Sequence, residues 1–176
     1  LGFGKISKGI LAHPMPDMPS LERTLDLLDI RNDAIILSKA SHELTSSSAL
    51  DTMVKSCWNL EELSNMYQKF LERYRIVYQE LSKSEASNSL ASPSESILIR
   101  LLMVHEYRKI LLRDPRLPNM LMPPHWEGNS AYQLCRDLYQ LLLDRSENYL
   151  SNFIETETGS LPQAGEEFYQ RFNGLT

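Results

Sequence analysis

The sequence predicts an α+β protein, with a short strand–strand–helix–strand segment in residues 1–45 and a mainly helical region over residues 46–176. Three observations lead to this reading. Apolar and polar residues alternate near the start and are cut by His13-Pro14 and Pro16. From Asn59 onward the apolar residues recur at three- and four-residue spacing, the period of a helix with one buried face. The most apolar stretch, Ile97 to Leu112, is bounded by a serine-rich segment and by Asp114-Pro115.

The first region is predicted element by element. Lys5-Ile6-Ser7-Lys8 alternates as an exposed hairpin arm does, and Gly9-Ile10-Leu11-Ala12 supplies the return strand. Pro19-Ser20 opens a helix with Ser20 as N-cap, and Leu21, Leu25 and Leu28 give it one apolar face. Asn32-Asp33 is a turn, and Ala34-Ile35-Ile36-Leu37 is expected as a buried strand.

The helical region follows. Ser48 is expected to cap a helix through Leu50, Met53, Val54 and Cys57. Asn59, with Glu62 at the capping-box position, opens a long helix whose stripe is Leu63, Met66, Tyr67, Phe70, Leu71, Tyr74 and Val77. Residues 82–96, rich in serine and without an aromatic, are expected as a flexible loop, since they bury too little apolar surface to offset chain entropy. Ile97 to Leu112 is expected as a central core helix, ended where Pro115 pushes Asp114 out of the α region. After a proline-rich connector, Asn129 or Ser130 is expected to cap a helix from Ala131 to about Asn152. The tail is loop-like from Thr158, and Phe168 to Phe172 is aromatic enough to pack back on the body.

Composition excludes several classes. With 42% hydrophobic and 23% charged residues the chain is of globular type, and its apolar runs fall short of the ~20 residues a membrane span needs. The N-terminus lacks a secretory pattern and an initiator methionine, so the chain reads as part of something longer, in the cytoplasm. A net charge of −5 argues against a broad nucleic-acid footprint on these residues. Cys57 and Cys135 are expected as buried reduced thiols. Gly2-Phe3-Gly4 lacks the third glycine of a dinucleotide loop. His105-Glu106 begins as a zinc-protease motif does, but position 109 is Lys, so the second metal ligand is missing. No nucleophile elbow is present, and neither a cofactor nor catalysis is expected.

The chemically distinctive cluster is basic. Arg100, His105, Arg108, Lys109, Arg113 and Arg116 lie on or just after the central helix, with Arg100 and Arg108 expected on roughly one side. It reads either as a solvated face paired with Glu106 and Asp114, or as a cationic site for phosphates or a carboxylate, which the planar arginine fork suits. Tyr107 and Trp126 are candidate walls for an aromatic acyl group, or ordinary core rings.

These residues sit in a segment, LLMVHEYRKILLRDPRLPNMLMPPHWEGNSAYQLC, that closely resembles the C-terminal signature of the PaaX family of phenylacetic-acid-degradation repressors. The matching positions are His105, Tyr107, Arg108, Asp114, Pro115, Leu117, Pro118, Pro123, Trp126 and Gly128. Met122 stands where the family often has Leu, a volume-conserving change. LGFGKISKGILAHP, KSCWNLEELSNMYQKF and LPQAGEEFYQRFNGL extend the resemblance over nearly the whole chain.

The resemblance implies a three-part repressor. Its parts are an N-terminal winged helix that reads operator DNA, a central ferredoxin-like domain similar to Cas2 proteins, and a helical C-terminal domain. It implies a homodimer released from DNA by phenylacetyl-coenzyme A. This sequence lacks the winged helix, and its first 45 residues correspond to the end of the ferredoxin-like part. On this reading Arg100, Arg108, Lys109 and Arg113 are the candidates for phosphate contacts, and His105, Tyr107 and Trp126 for the thioester and ring. The rival readings are an enzyme acting on an acyl-coenzyme A and a ligand-independent oligomerisation module built on the helix over 59–81. A Cas2-like nuclease is set aside, because its carboxylate belongs on a first strand absent here.

Overall fold

The computed structural model describes residues 2–37, 47–86, 91–157, 159–162 and 164–174. It is mostly helical, with two small antiparallel sheets of two strands each, and so of α+β type. The chain divides into two compact units: Leu1–Leu63 with Arg113–His125, and Ser64–Leu112 with Trp126–Thr176.

In the first unit the predicted hairpin forms. Strand β1 (Gly4–Ser7) pairs antiparallel with β2 (Ile10–Ala12), with an irregularity between Lys5 and Ser7. Gly9 takes φ +79 in the turn, where a side chain would strain the backbone. Helix α1 (Met18–Leu27) starts earlier than Ser20 implied: Asp17 is the N-cap and Pro19 lies in the first turn, where its missing N–H costs nothing. Leu25 is buried and Leu28 exposed.

The strand expected at Ala34–Leu37 is not formed. A 3-10 turn (Arg31–Asp33) leads into extended but unpaired chain, with Ile35 and Leu37 88% and 91% exposed. A strand persists only against a neighbour that satisfies its N–H and C=O groups, and among the described residues β1 and β2 pair only with each other. The ferredoxin-like arrangement is therefore not present among the described residues. The division expected at residues 45/46 lies outside them.

Helix α2 (Ser47–Cys57) returns the chain to the hairpin. A Cβ on Gly4 would stand 2.5 Å from Cys57 Cβ and 2.7 Å from the Trp58 ring, so only glycine fits where β1 meets the end of α2. Trp58 Nε1 donates to the Gly2 carbonyl at 2.8 Å. His13 Nε2 donates to the Pro115 carbonyl at 2.9 Å, while Nδ1 accepts from the Met15 N–H at 3.1 Å, which fixes the Nε2-protonated tautomer. The His13 ring also lies 5.4 Å from Phe3 and 6.4 Å from Trp58. These contacts join the 113–125 segment to the start of the chain, and Leu117 is buried there.

Helix α3 (Leu60–Ala86) begins as predicted: Asn59 Oδ1 accepts from the Glu62 N–H at 3.1 Å, and Glu62 reaches back to the Asn59 side-chain amide. In the second unit its stripe buries Tyr67, Phe70, Leu71 and Tyr74. The helix runs further than the serine-rich composition implied, and α4 (Pro93–Leu111) starts sooner, so residues 82–86 and 93–96 are helical. One of these serines supplies the cap that starts α4. Ser92 Oγ accepts from the Glu95 N–H, the Glu95 carboxylate accepts from the Ser92 N–H at 2.8 Å, and Pro93 occupies the first turn.

Helix α5 (Glu127–Phe153) also starts before the expected Asn129 or Ser130, with Trp126 at the N-cap position. It packs on α4 through Met103, Ala131, Leu138 and Leu142, all with no exposed surface. The tail adds a small hairpin, β3 (Glu155–Thr156) with β4 (Gly159–Ser160), and a short helix α6 (Glu166–Tyr169). As the sequence implied, its rings return to the body. Phe172 lies 5.8 Å from Tyr132 and 5.3 Å from Tyr139, and Arg171 donates to the Tyr139 hydroxyl. No described helix is long and apolar enough to cross a membrane.

Neither cysteine is in a disulfide; Cys135 is buried and Cys57 half-buried. Burial pushes the Cys135 thiol up to about 12, and burial, then the Glu106 carboxylate, raises Tyr74 to about 12. The folded chain thus holds two protons that the unfolded chain releases near pH 9 and 10. Their contribution to stability is intact below pH 9 and is lost as the pH rises toward 12. In alkaline titration followed by circular dichroism, Cys135→Ala should flatten the first part of that loss. Iodoacetamide should alkylate Cys57 well before Cys135; equal rates would contradict this burial.

Candidate functional site

Helix α4 carries five of the seven predicted site residues, and the structure sorts them onto opposite faces. Arg100 and Tyr107 lie on the face packed in the unit, 6% and 7% exposed. His105, Arg108 and Lys109 are exposed. Arg100 and Arg108 therefore do not share a side. Eight residues advance a helix by 800°, which leaves the two about 80° apart, and the edge of the α5 contact falls between them.

Arg100 is the buried cation of the second unit. Its Nη2 lies 2.7 Å from Glu147 Oε1 on α5, and its guanidinium carbon sits 5.1 Å from the centroid of the Tyr139 ring. Its Nη1 is buried without a hydrogen-bond partner, and Glu147 Oε1 meets the charge without hydrogen-bond geometry. Ser96 and Ser146 are fully buried on the same two helices, and Ser146 Oγ donates to the Leu142 carbonyl at 2.6 Å. Arg100 thus belongs to an internal ion pair. Glu147 and Tyr139 escaped the sequence reading because they lie some forty residues further along; the signal available was Arg100's place on one face with Ile97, Met103 and Tyr107.

The two predicted aromatic walls both pack on α3. Tyr107 lies 5.4 Å from Phe70, which lies 4.7 Å from Tyr74. Trp126 meets Tyr67 edge-on at 5.6 Å. Behind Trp126 the Glu127 carboxylate accepts from Ser64 Oγ at 2.8 Å and Gln68 Nε2 at 2.9 Å, fastening the start of α5 to α3. A Cβ on Gly128 would stand 2.4 Å from Trp126 Nε1, so this glycine lets the indole fold over the first turn of α5. Glu106 pairs with Arg73 on α3. Arg113 belongs to the other unit, where it lies 3.7 Å from Glu62, both exposed. Among the described residues no cluster of His, Cys, Asp and Glu is placed to hold a metal.

The structure therefore separates the predicted residues into three groups. These are a surface set (His105, Arg108, Lys109) and an internal set (Arg100, Tyr107, with Trp126 half-buried at the start of α5) in the second unit, and Arg113, which belongs to the first unit.

Comparison with known proteins supplies the identity that this geometry alone does not. Residues 58–152, more than half of the chain, match the model of the PaaX-like protein C-terminal domain. The chain belongs to the PaaX family. Over 174 residues, 99% of the chain, it is 33% identical to the transcriptional repressor PaaX of Escherichia coli (strain K12). It spans about half of that relative's length, 54%. The matched PaaX domain contains α4, most of α5 and the whole proline-rich segment between them, and so all seven predicted site residues.

Proposed function

We propose that this chain is the effector-sensing and dimerisation region of a transcriptional repressor of phenylacetate catabolism, released from operator DNA by phenylacetyl-coenzyme A. The observation that carries this reading is the match along 99% of the chain to a protein named as a transcriptional repressor. DNA is read by a winged helix outside these residues, consistent with the net charge of −5.

The exposed cations Arg108 and Lys109, with His105 beside them, receive the phosphates of the coenzyme. Trp126, half-buried at the start of α5, is the ring proposed for the aromatic acyl end, while Arg100 stays in its ion pair with Glu147 and Tyr107 in the packed face of α4. Binding prefers one arrangement of the C-terminal helices and disfavours the DNA-competent dimer, a coupling between two ligands of one protein. No turnover of the thioester is expected.

Isothermal titration with phenylacetyl-coenzyme A, and with coenzyme A and phenylacetate as controls, tests this. The expected result is saturable binding of the thioester, well beyond either half. Arg108→Glu should weaken it about tenfold or more, since a charge-assisted contact becomes a repulsion. Binding at wild-type strength by Arg108→Glu would remove that residue from the site, and absence of any binding would remove the effector. Thioester hydrolysis would make the chain an enzyme.

A further inference from the structure

Helix α4 has a second apolar face that is left exposed among the described residues. Opposite Ile97, Met103, Tyr107 and Ile110, which are buried, the leucines at 98, 101, 102 and 112 are 55%, 59%, 51% and 77% exposed. At 100° per residue these four, with Glu95, His105, Arg108 and Lys109, fall in an arc of roughly 140°. From Leu98 to Leu112 the stripe is about 21 Å long. A helix apolar on all sides is normally enclosed on all sides. This one is enclosed on one.

The charges along the stripe say what fits it. Its N-terminal end carries Glu95 and its C-terminal end Arg108 and Lys109, with only leucines and His105 between. Turned end for end, the stripe is complementary to itself. A two-fold axis between Leu101 and Leu102 sets Leu101 on Leu102 of the copy, Leu98 on His105, and Glu95 opposite Arg108, each contact occurring twice. That is the pattern of a closed, isologous interface, and the antiparallel helix dipoles favour it too.

We propose that a second copy of this chain docks on this face, α4 against α4 antiparallel, with the axis at Leu101–Leu102. The inference rests on the dimerisation part of the proposed function and specifies its surface. Arg108 and Lys109 then serve both the second copy and the phosphates of the effector, so the two compete for the same charges.

Sedimentation equilibrium of the protein and of three variants tests the proposal. The wild type should be dimeric at micromolar concentration. Leu101→Glu and Leu102→Lys alone each place a charge against leucine and should weaken the dimer about tenfold or more. The double variant places opposite charges face to face twice and should recover most of the loss. The side chains are more than half exposed, so circular dichroism should show unchanged helicity in all three. A dimer indifferent to both single changes, or a double variant no better than the singles, overturns this interface while leaving dimerisation intact. A monomeric wild type overturns both.

Discussion

Glu147→Ala is expected to cost about 3 kcal/mol of unfolding free energy, measured by denaturant unfolding followed by circular dichroism. Breaking a buried ion pair by removing one partner costs about 3–5 kcal/mol, because the remaining charge stays desolvated and alone. Arg100 is that charge: its side chain is 8% exposed and one of its terminal nitrogens is unpartnered. The lower end applies because the Glu147 side chain is 34% exposed and admits water. The Tyr139 ring face retains part of the cation's stabilisation. Replacing both members, as Arg100→Met with Glu147→Met, should recover most of the loss, because two apolar chains of similar length need no solvation. A double variant as unstable as Glu147→Ala would show that the pair contributes more than it costs to bury.

Leu142→Ala is expected to destabilise the second unit by about 2–5 kcal/mol, the range for a large-to-small change at a fully enclosed site. Leu142 has no exposed surface, and its carbonyl also receives the Ser146 hydroxyl. The backbone around it is therefore held by helix and side-chain bonds and has little freedom to collapse into the cavity. Leu143→Ala, one position along and half-buried, should cost well under half as much in the same denaturant titration. Equal losses would mean that the interior tolerates the cavity.

Much of this was legible in the residues. Asn59 with Glu62, the 3/4 stripe of α3 and the proline that stops α4 act through neighbours in sequence, and each is found where its pattern placed it. Errors came where a residue type has two physical uses. The serines of 82–96 suggested a loop, yet Ser92 starts a helix through its hydroxyl. Ala34–Leu37 has strand composition, but pairing needs a partner that those four residues cannot specify. The candidate site was legible as a helix and a set of charges. Which charges face in was not: Arg100 is buried because of Tyr139 and Glu147, and nothing adjacent to Arg100 announces them.

The Trp58 bond to Gly2 and the His13 bond to Pro115 span 56 and 102 positions of the chain. During synthesis, then, the hairpin's own hydrogen bonds can form at once, but its seat cannot. At about 5–20 residues per second, residue 115 follows residue 13 out of the ribosome by roughly 5–20 seconds. From the emergence of Trp58 to that of Pro115, roughly 3–11 seconds at the same rates, Phe3, His13 and Trp58 are an adhesive surface waiting for its lid, and α3 and α4 are synthesised in the meantime. A ribosome pausing in the proline-rich stretch would lengthen the wait. The hairpin's seat is thus completed only when residue 115 arrives, however early its strands pair.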